Sequence, residues 1–453
     1  MVRSQRLRSL VRSTPLLLML GVGGVVTALG ISAPSLSLPS ASGGSIRGSI
    51  LDSPKEVIDQ VWQIVYRDYL DSTGSYNEMT WRQLRSNLLS KSYGGSVESY
   101  EAIRGMLASL NDPYTRFLDP KEFKEMQIDT SGELMGVGIQ LSLDKDTKEL
   151  IVVSPIEGTP AFRAGVQPKD VIVSIDGAST KGMTTEDAVK LIRGPEGTDV
   201  VLGLRRQGQV LNVPLKRARI EIHAVKAKLN TAPNGRKVGY IRLKQFNANA
   251  TREMRAAIKD LESQAAEGYV LDLRSNPGGL LEASVDIARQ WLNEGTIVST
   301  RTREGIRDVR RATGSAITDK PLVVLIDQGS ASASEILSGA LQDNSRAQLV
   351  GQKTFGKGLV QAVRGLADGS GLTVTIAKYL TPKGTDIHKN GIKPDIEASM
   401  TEKEMKNFSV DDLGTQKDSQ YRRAEGTLVR QLQKAQAVST FQPGRANLSY
   451  ALQ

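Results

Sequence analysis

The chain of 453 residues contains no cysteine. Disulfides and thiolate metal sites are therefore excluded, although many exported proteins fold without disulfides and the absence does not identify a compartment. Histidine is nearly absent too, with only His223 and His388. Two histidines so far apart in sequence disfavour a histidine-rich metal site. A dense basic block is also missing. The net charge of +10 would suit nucleic acid or an acidic membrane surface. Arg3, Arg6, Arg8 and Arg12 supply four of those charges ahead of the first acid, Asp52, and the remaining 10 − 4 = +6 are spread thinly. That distribution argues against a nucleic-acid partner.

The N-terminus carries the longest apolar run. A basic stretch precedes Leu16 to Ile31, which as a helix would span about 24 Å against the roughly 30 Å of a bilayer core. Its length, and the Ser/Pro-rich sequence that follows, read as a secretory signal over 1–33, with 34–52 a linker. A strict A-x-A cleavage site is lacking, and "SAS" at 40–42 is a weak substitute, so a retained anchor is the alternative. Either way the protein is expected to be exported, with the N-terminal segment able to hold it near a membrane.

Three textures follow. Ser53 and Glu56 form a capping box around Pro54, and Val57, Val61 and Val65 recur every fourth residue, which predicts an amphipathic helix. "SYEAIRGMLASLNDPYTRFL" supplies another helix, stopped at Asn111-Asp112-Pro113. Residues 53–127 are thus expected as a helical, supporting part. From about 130, short β-branched runs separated by glycine turns ("GVGIQLSLD", "ELIVVSPI", "DVIVSIDG", "DVVLGLRR") predict strands, with "TTEDAVKLIRG" a helix between two of them. From Val238, strands ("VGYIRL", "GYVLDLR", "KPLVVLID") alternate with helices, which predicts a helix-covered sheet that is at least partly parallel. Beyond about 400 the chain turns polar, and "QYRRAEGTLVRQLQKAQA" is expected as a surface helix before a loose tail.

Chemistry concentrates in three turns. "DQGSASASEI" places Ser330, Ser332 and Ser334 between a strand and a helix, where free backbone N–H groups suit a developing oxyanion. By themselves these serines fit a helix cap equally well. "RSNPGG" leaves another strand and starts another helix, so its amides can face the same point. "KTFGKGLV" sets Lys357 between glycines; a lysine serves as a base only when burial holds it neutral.

The middle stretch resembles a PDZ domain in the Gly136-Val137-Gly138-Ile139 loop, "GTPAFRAGVQPKDVIVSIDG" and "EDAVKLIRGPEGT". Such a loop offers amides to a peptide's terminal carboxylate beside a strand edge. From Ser53 to about Glu397 the chain resembles the carboxyl-terminal processing peptidases, serine peptidases with a Ser–Lys dyad and an inserted PDZ domain. The resemblance rests on "LNDPYTRFL", "GYIRLKQF", "LDLRSNPGGLL", "GSASASEILSGALQD", "GQKTFGKGLVQ" and "GIKPDIE". It implies an α/β multidomain fold, with a helical N-terminal part (53–127), a PDZ β-barrel-like domain (128–217), a crotonase-like α/β peptidase core (218–400) and a polar C-terminal extension (401–453).

The resemblance further implies Ser332 as nucleophile, Lys357 as base, Gln361 to orient the lysine, backbone N–H groups of Gly278 and Ala333 as oxyanion donors, and a mechanism that needs no metal or organic cofactor. Gly136, Val137, Gly138 and Ile139 would capture protein substrates by their free C-termini. Arg193, by its position at the end of the PDZ helix, is read either as coupling capture to the dyad or as a solvated surface arginine. Periplasm or thylakoid lumen is the implied location, and the photosystem II D1 precursor is among the implied substrates. Competing readings are a non-catalytic PDZ adaptor, a Ser–His hydrolase using His388 or His223, and, by fold analogy, a CoA enzyme of the crotonase type.

Overall fold

The computed structural model describes residues 54–144 and 146–440. The expected signal segment, the linker, the Ser53 cap and the tail beyond 440 lie outside the described residues. Among those described, no helix is long and apolar enough to cross a membrane.

Three helices open the fold: α1 (Pro54–Asp68), α2 (Glu78–Ser90) and α3 (Ser96–Ala108). The expected stripe of α1, Val57, Val61 and Val65, is buried together with Ile58 and Trp62. Trp62 Nε1 donates to Trp81 O at 2.7 Å, locking α1 to α2. These helices share one apolar core with Phe117, Ala362, Leu372 and Val374. The helical part is therefore built onto the sheet of the downstream unit. Next come β1 (Arg116–Leu118) and α4 (Pro120–Ser131), the latter started by an Asp119–Glu122 capping box.

After β2 (Glu133–Gly136), a compact β unit comprises β3 (Ile139–Leu143), β4 (Leu150–Pro155), the short α5 (Pro160–Arg163), β5 (Val171–Ile175), β6 (Ala178–Ser179), α6 (Thr185–Ile192), β7 (Asp199–Arg206) and β8 (Gln209–Lys216). Its strands form one sheet in the order β3-β4-β5-β7-β8, with β6 on β5. All four predicted strands and the predicted helix are present. The chain leaves along β9 (Ala218–Glu221), which pairs antiparallel with β2. Entry and exit are thereby held side by side, as an inserted unit requires.

The last unit contains β10 (Val225–Thr231), β11 (Lys237–Leu243), α7 (Ala250–Ser263), β12 (Gly268–Asp272), α8 (Leu281–Arg289), β13 (Thr296–Thr302), β14 (Gly305–Arg311), β15 (Leu322–Ile326), α9 (Ala333–Asp343), β16 (Ala347–Gly351), β17 (Leu359–Gly365), β18 (Gly371–Leu380), β19 (Ile396–Glu397), α10 (Glu402–Asn407) and α11 (Ser419–Thr440). The sheet β10-β11-β12-β15-β16-β19 is parallel except for its β10–β11 hairpin. Helices α7, α8 and α9 bury one face of it. A second, antiparallel sheet of β1, β18, β13 and β14, with β17 also on β18, was not legible as such in the sequence.

Helix α11 differs from its expectation as a surface helix. Tyr421, Ala424 and Leu428 are fully buried and pack with Val238, Tyr240, Val270, Val323, Leu325 and Val350. Every strand of a parallel sheet is apolar on both faces, and the second face needs a cover. Here α11 provides it, on a minority of apolar positions within a polar sequence. Arg274 is buried between Asp272 and Asp418, 2.6 Å from each, and fastens this C-terminal segment to the end of β12.

Candidate active site

The buried strand β15 ends at the serine turn, and α9 begins immediately after it. The three serines are not equivalent. Ser330 Oγ donates to Leu273 O at 2.8 Å, and Ser334 Oγ donates to Asn276 O at 2.9 Å. Both hydroxyls strap this turn to the neighbouring one at the end of β12. Ser332 instead holds φ +55° and ψ −114°, a left-handed strained conformation for a side chain with a Cβ. Strain of this kind at a strand-to-helix turn is how nucleophile elbows present a hydroxyl.

Glu335, wholly buried in the first turn of α9, joins the serine turn to the lysine turn. Its Oε2 accepts the N–H of Ser332 at 2.8 Å and that of Lys357 at 2.9 Å. Its Oε1 accepts the Thr354 hydroxyl at 2.6 Å and the Gly356 N–H at 2.7 Å. Burial pushes its carboxyl above the ordinary range, and these four donors oppose that rise. Phe355 N–H adds a further tie, to Ser330 O at 3.0 Å.

Lys357 is 7% exposed, and its Nζ stands 4.9 Å from the centroid of the Tyr114 ring. Burial lowers its pKa to about 8; Arg116 adds to the effect, while Asp112 and Glu335 oppose it. Tyr379 is fully buried, donates its hydroxyl to Lys357 O, and is in hydrogen-bond contact with the Ser332 side chain. Gln361, buried on β17, reaches Thr375 Oγ1 with Nε2 at 3.4 Å, and its Oε1 has no hydrogen-bond partner among the described residues. Thr375 in turn donates to Asp112 Oδ2 at 2.7 Å.

The glycine turn closes the site. Gly278 has φ +104°, and a Cβ there would stand 2.7 Å from Ala331 O and 2.9 Å from both Ala333 N and Ser332 Cβ. Only glycine permits this approach. Ala333 heads α9, where N–H groups lack intrahelical acceptors. The Gly278 N–H donates to Asn276 Oδ1 at 2.9 Å, and Asn276 Nδ2 is anchored on Leu243 O at 2.8 Å. An oxyanion at this amide must therefore share or displace the Asn276 oxygen.

The structure thus brings Ser332, Lys357, Gly278 and Ala333 into one buried cluster, with Gln361 on the adjoining strand. The sequence reading missed Glu335, Tyr379, Asp112, Tyr114 and Arg116. Residues 53–127, expected as support alone, bring Tyr114 against Lys357. "LNDPYTRFL" was the available signal, because an Asp and a Tyr sit inside a motif otherwise read as a helix stop.

His388 is half-buried, with its ring 6.4 Å from that of Tyr114, and burial lowers its pKa. His223 pairs with Glu253 at 3.0 Å. With Glu221 these two form the one metal-capable grouping among the described residues, and none of the three belongs to the serine, lysine or glycine turns.

In the β unit, Gly136, Val137, Gly138 and Ile139 line a groove of about 70 Å³ together with Ile156, Val189, Ile192 and Arg193. Gly138 has φ +80°, and a Cβ there would overlap Thr159. Arg193 also acts on Asp129 of α4, whose carboxyl burial pushes up and Arg193 pulls down. The groove residue is therefore electrostatically linked to the helix that follows β1.

Residues 237–398 match peptidase family S41, and residues 151–206 match the PDZ domain. The carboxyl-terminal-processing protease of Synechocystis sp. is 48% identical over 343 residues, covering 75% of this chain and 80% of that protein. The chloroplastic carboxyl-terminal-processing peptidase 2 of Arabidopsis thaliana is 42% identical, covering 74% and 67%. Among solved structures, the photosystem II D1 C-terminal processing protease aligns with a TM-score of 0.52 at 39% identity, over 77% of this chain and 93% of that one.

Proposed function

The chain belongs to the carboxyl-terminal-processing proteases of peptidase family S41, and from that premise we propose that its serine-peptidase chemistry runs on Ser332 and Lys357. The observation that carries this reading is the Glu335 carboxylate, which holds both turns while Lys357 is buried with its pKa lowered to about 8. Neutral Lys357 takes the proton of Ser332 as Oγ attacks the scissile carbonyl. Gln361 Oε1 is the spare acceptor that orients the lysine. N–H groups of Ala333 and Gly278 hold the tetrahedral oxyanion, the latter in exchange for Asn276 Oδ1. The lysine ammonium protonates the leaving amine, and water hydrolyses the acyl-enzyme.

The groove at Gly136–Ile139 captures the substrate's C-terminal carboxylate, and Arg193 conveys its occupancy toward α4. Domain limits of 53–127, 128–217, 218–400 and 401–453 fit this division of labour. The proposed setting is the periplasm or thylakoid lumen, beside a membrane held by the N-terminal segment, with the D1 precursor as candidate substrate.

The test is cleavage of a peptide with a free C-terminus against its amide, by the wild type and by Ser332→Ala. The reading expects faster cleavage of the free acid at low concentration and none by the variant. Equal cleavage of acid and amide would remove carboxylate capture; activity in Ser332→Ala would remove the nucleophile.

A further inference from the structure

Lys226 on β10 lies directly opposite Arg242 on β11, and Lys244 stands two positions beyond Arg242. Both neighbours act on Lys244: burial, Lys226 and Arg242 all lower its pKa. Among the described residues none of the three forms an ion pair or a side-chain hydrogen bond, and Arg242 Nε is buried without a partner. Glu253 is the one carboxylate that acts on Lys244 in the opposite sense, but it is engaged by Val225 N–H and His223 Nδ1, each at 3.0 Å. The fold treats Arg274, at the end of the next strand, differently by seating it between two carboxylates. Arg242 and Lys244 are unpaired and partly buried while Lys226 is exposed, and an anionic ligand relieves the cost of the two desolvated cations.

Their position says which ligand. Leu243 O, immediately before Lys244, is the acceptor for Asn276 Nδ2. Two residues after Lys244, Phe246 N–H donates to Gly278 O at 2.9 Å, and Phe246 O accepts Leu280 N–H at 2.7 Å. Lys244 therefore leaves β11 alongside the turn assigned to the oxyanion. We propose that Lys244, backed by Arg242 and Lys226, is a carboxylate-binding subsite that selects peptides carrying an acid beside the scissile bond. The proposal rests on the peptidase reading and adds a substrate preference to it. The carboxylate comes either from an Asp or Glu side chain or from the chain terminus of a short leaving fragment.

The experiment uses full-length protein and peptides in which one glutamate is walked through three positions on each side of the scissile bond. Each is paired with its glutamine counterpart, and each pair is made with free and amidated C-termini. At one position the Glu/Gln ratio of kcat/KM is expected at about 10, carried by KM and shrinking as salt rises. Lys244→Met should bring that ratio close to 1. If amidation alone abolishes the preference, and Lys244→Met abolishes the amidation effect, the occupant is the terminal carboxylate. An amidation effect that persists in Lys244→Met belongs to the groove at Gly136–Ile139. Ratios near 1 at every position in the wild type, or a ratio unchanged by Lys244→Met, would overturn the subsite. Should no peptide be cleaved, the peptidase reading fails separately. Fluorescence polarisation of labelled Glu and Gln peptides on Ser332→Ala, with and without Lys244→Met, then decides the subsite: equal binding overturns it, and a Glu preference lost with Lys244 supports it.

Discussion

Glu335 accepts the backbone N–H of Lys357 at 2.9 Å, so a carboxylate on the helix that follows Ser332 ties down the lysine turn. The same carboxylate accepts three other donors. Glu335→Gln replaces one acceptor oxygen by an NH₂ that faces donors, leaving buried N–H groups unmatched at about 1–3 kcal/mol each. A fall of at least about 100-fold in kcat/KM is expected, with a lowered Tm. Near-normal turnover in a folded Glu335→Gln protein would show that the two turns are held by something else.

The serines should separate by function. Ser332→Ala should abolish peptide cleavage. Ser330→Ala and Ser334→Ala each remove a buried hydroxyl-to-carbonyl hydrogen bond, which is worth about 1 kcal/mol. They should lower the denaturation midpoint and leave measurable activity. Loss of cleavage in Ser330→Ala alone, with cleavage intact in Ser332→Ala, would reassign the nucleophile.

Lys357 gives the pH dependence. Its folded pKa of about 8 lies below the ordinary lysine value, so the neutral base accumulates as pH rises through about 8. kcat/KM should climb through that range and flatten above it. Lys357→Arg keeps a cation that stays protonated and should be as inactive as Ser332→Ala, whereas His388→Ala should retain most activity. Circular dichroism on each variant checks the fold. A profile that is flat from pH 7 to 9, or an inactive but folded His388→Ala, would send the proton elsewhere.

Gly278→Ala should fail for a steric reason. The added methyl would sit 2.7 Å from Ala331 O at an amide held with φ +104°. The turn must withdraw from Ser332, and kcat should fall far more than Tm. Crystallography of the variant would show the displaced turn, and wild-type kcat would contradict the contact.

Removing residues 401–453 tests the role of α11. Truncation exposes the sheet face formed by Val270, Val323, Leu325 and Val350 and leaves Arg274 without Asp418. Breaking a buried ion network costs about 3–5 kcal/mol before any apolar exposure is counted. The shortened chain should aggregate or melt at a much lower temperature. A soluble, active chain ending at residue 400 would return this segment to the status of an appendage.

The β unit was legible because each strand there has its own alternating pattern and its own glycine turn. The antiparallel sheet of β13, β14, β17 and β18 was not. Its strands come from separated stretches such as Thr296–Thr302 and Gly371–Leu380, and β18 is held by partners from distant parts of the chain, β1 among them. Helix α11 is legible as a helix but not its surroundings, because Tyr421, Ala424, Leu428 and Leu432 in a polar segment look like part of a solvated face until a sheet needs covering.

The sequence by itself determined the order of the units, the serine, lysine and glycine turns at strand ends, and the family to which they belong. These follow from residue type and spacing, which act over a few positions along the chain. Tertiary structure alone decided that Ser332 is the strained serine while its two neighbours are straps. It also decided that Glu335 binds both turns, that Tyr114 and Tyr379 reach the site from other segments, and that Lys357 titrates near 8. Backbone strain persists only where surrounding contacts impose it, and a pKa is set by desolvation and by charges brought close across the fold, quantities that no local spacing encodes.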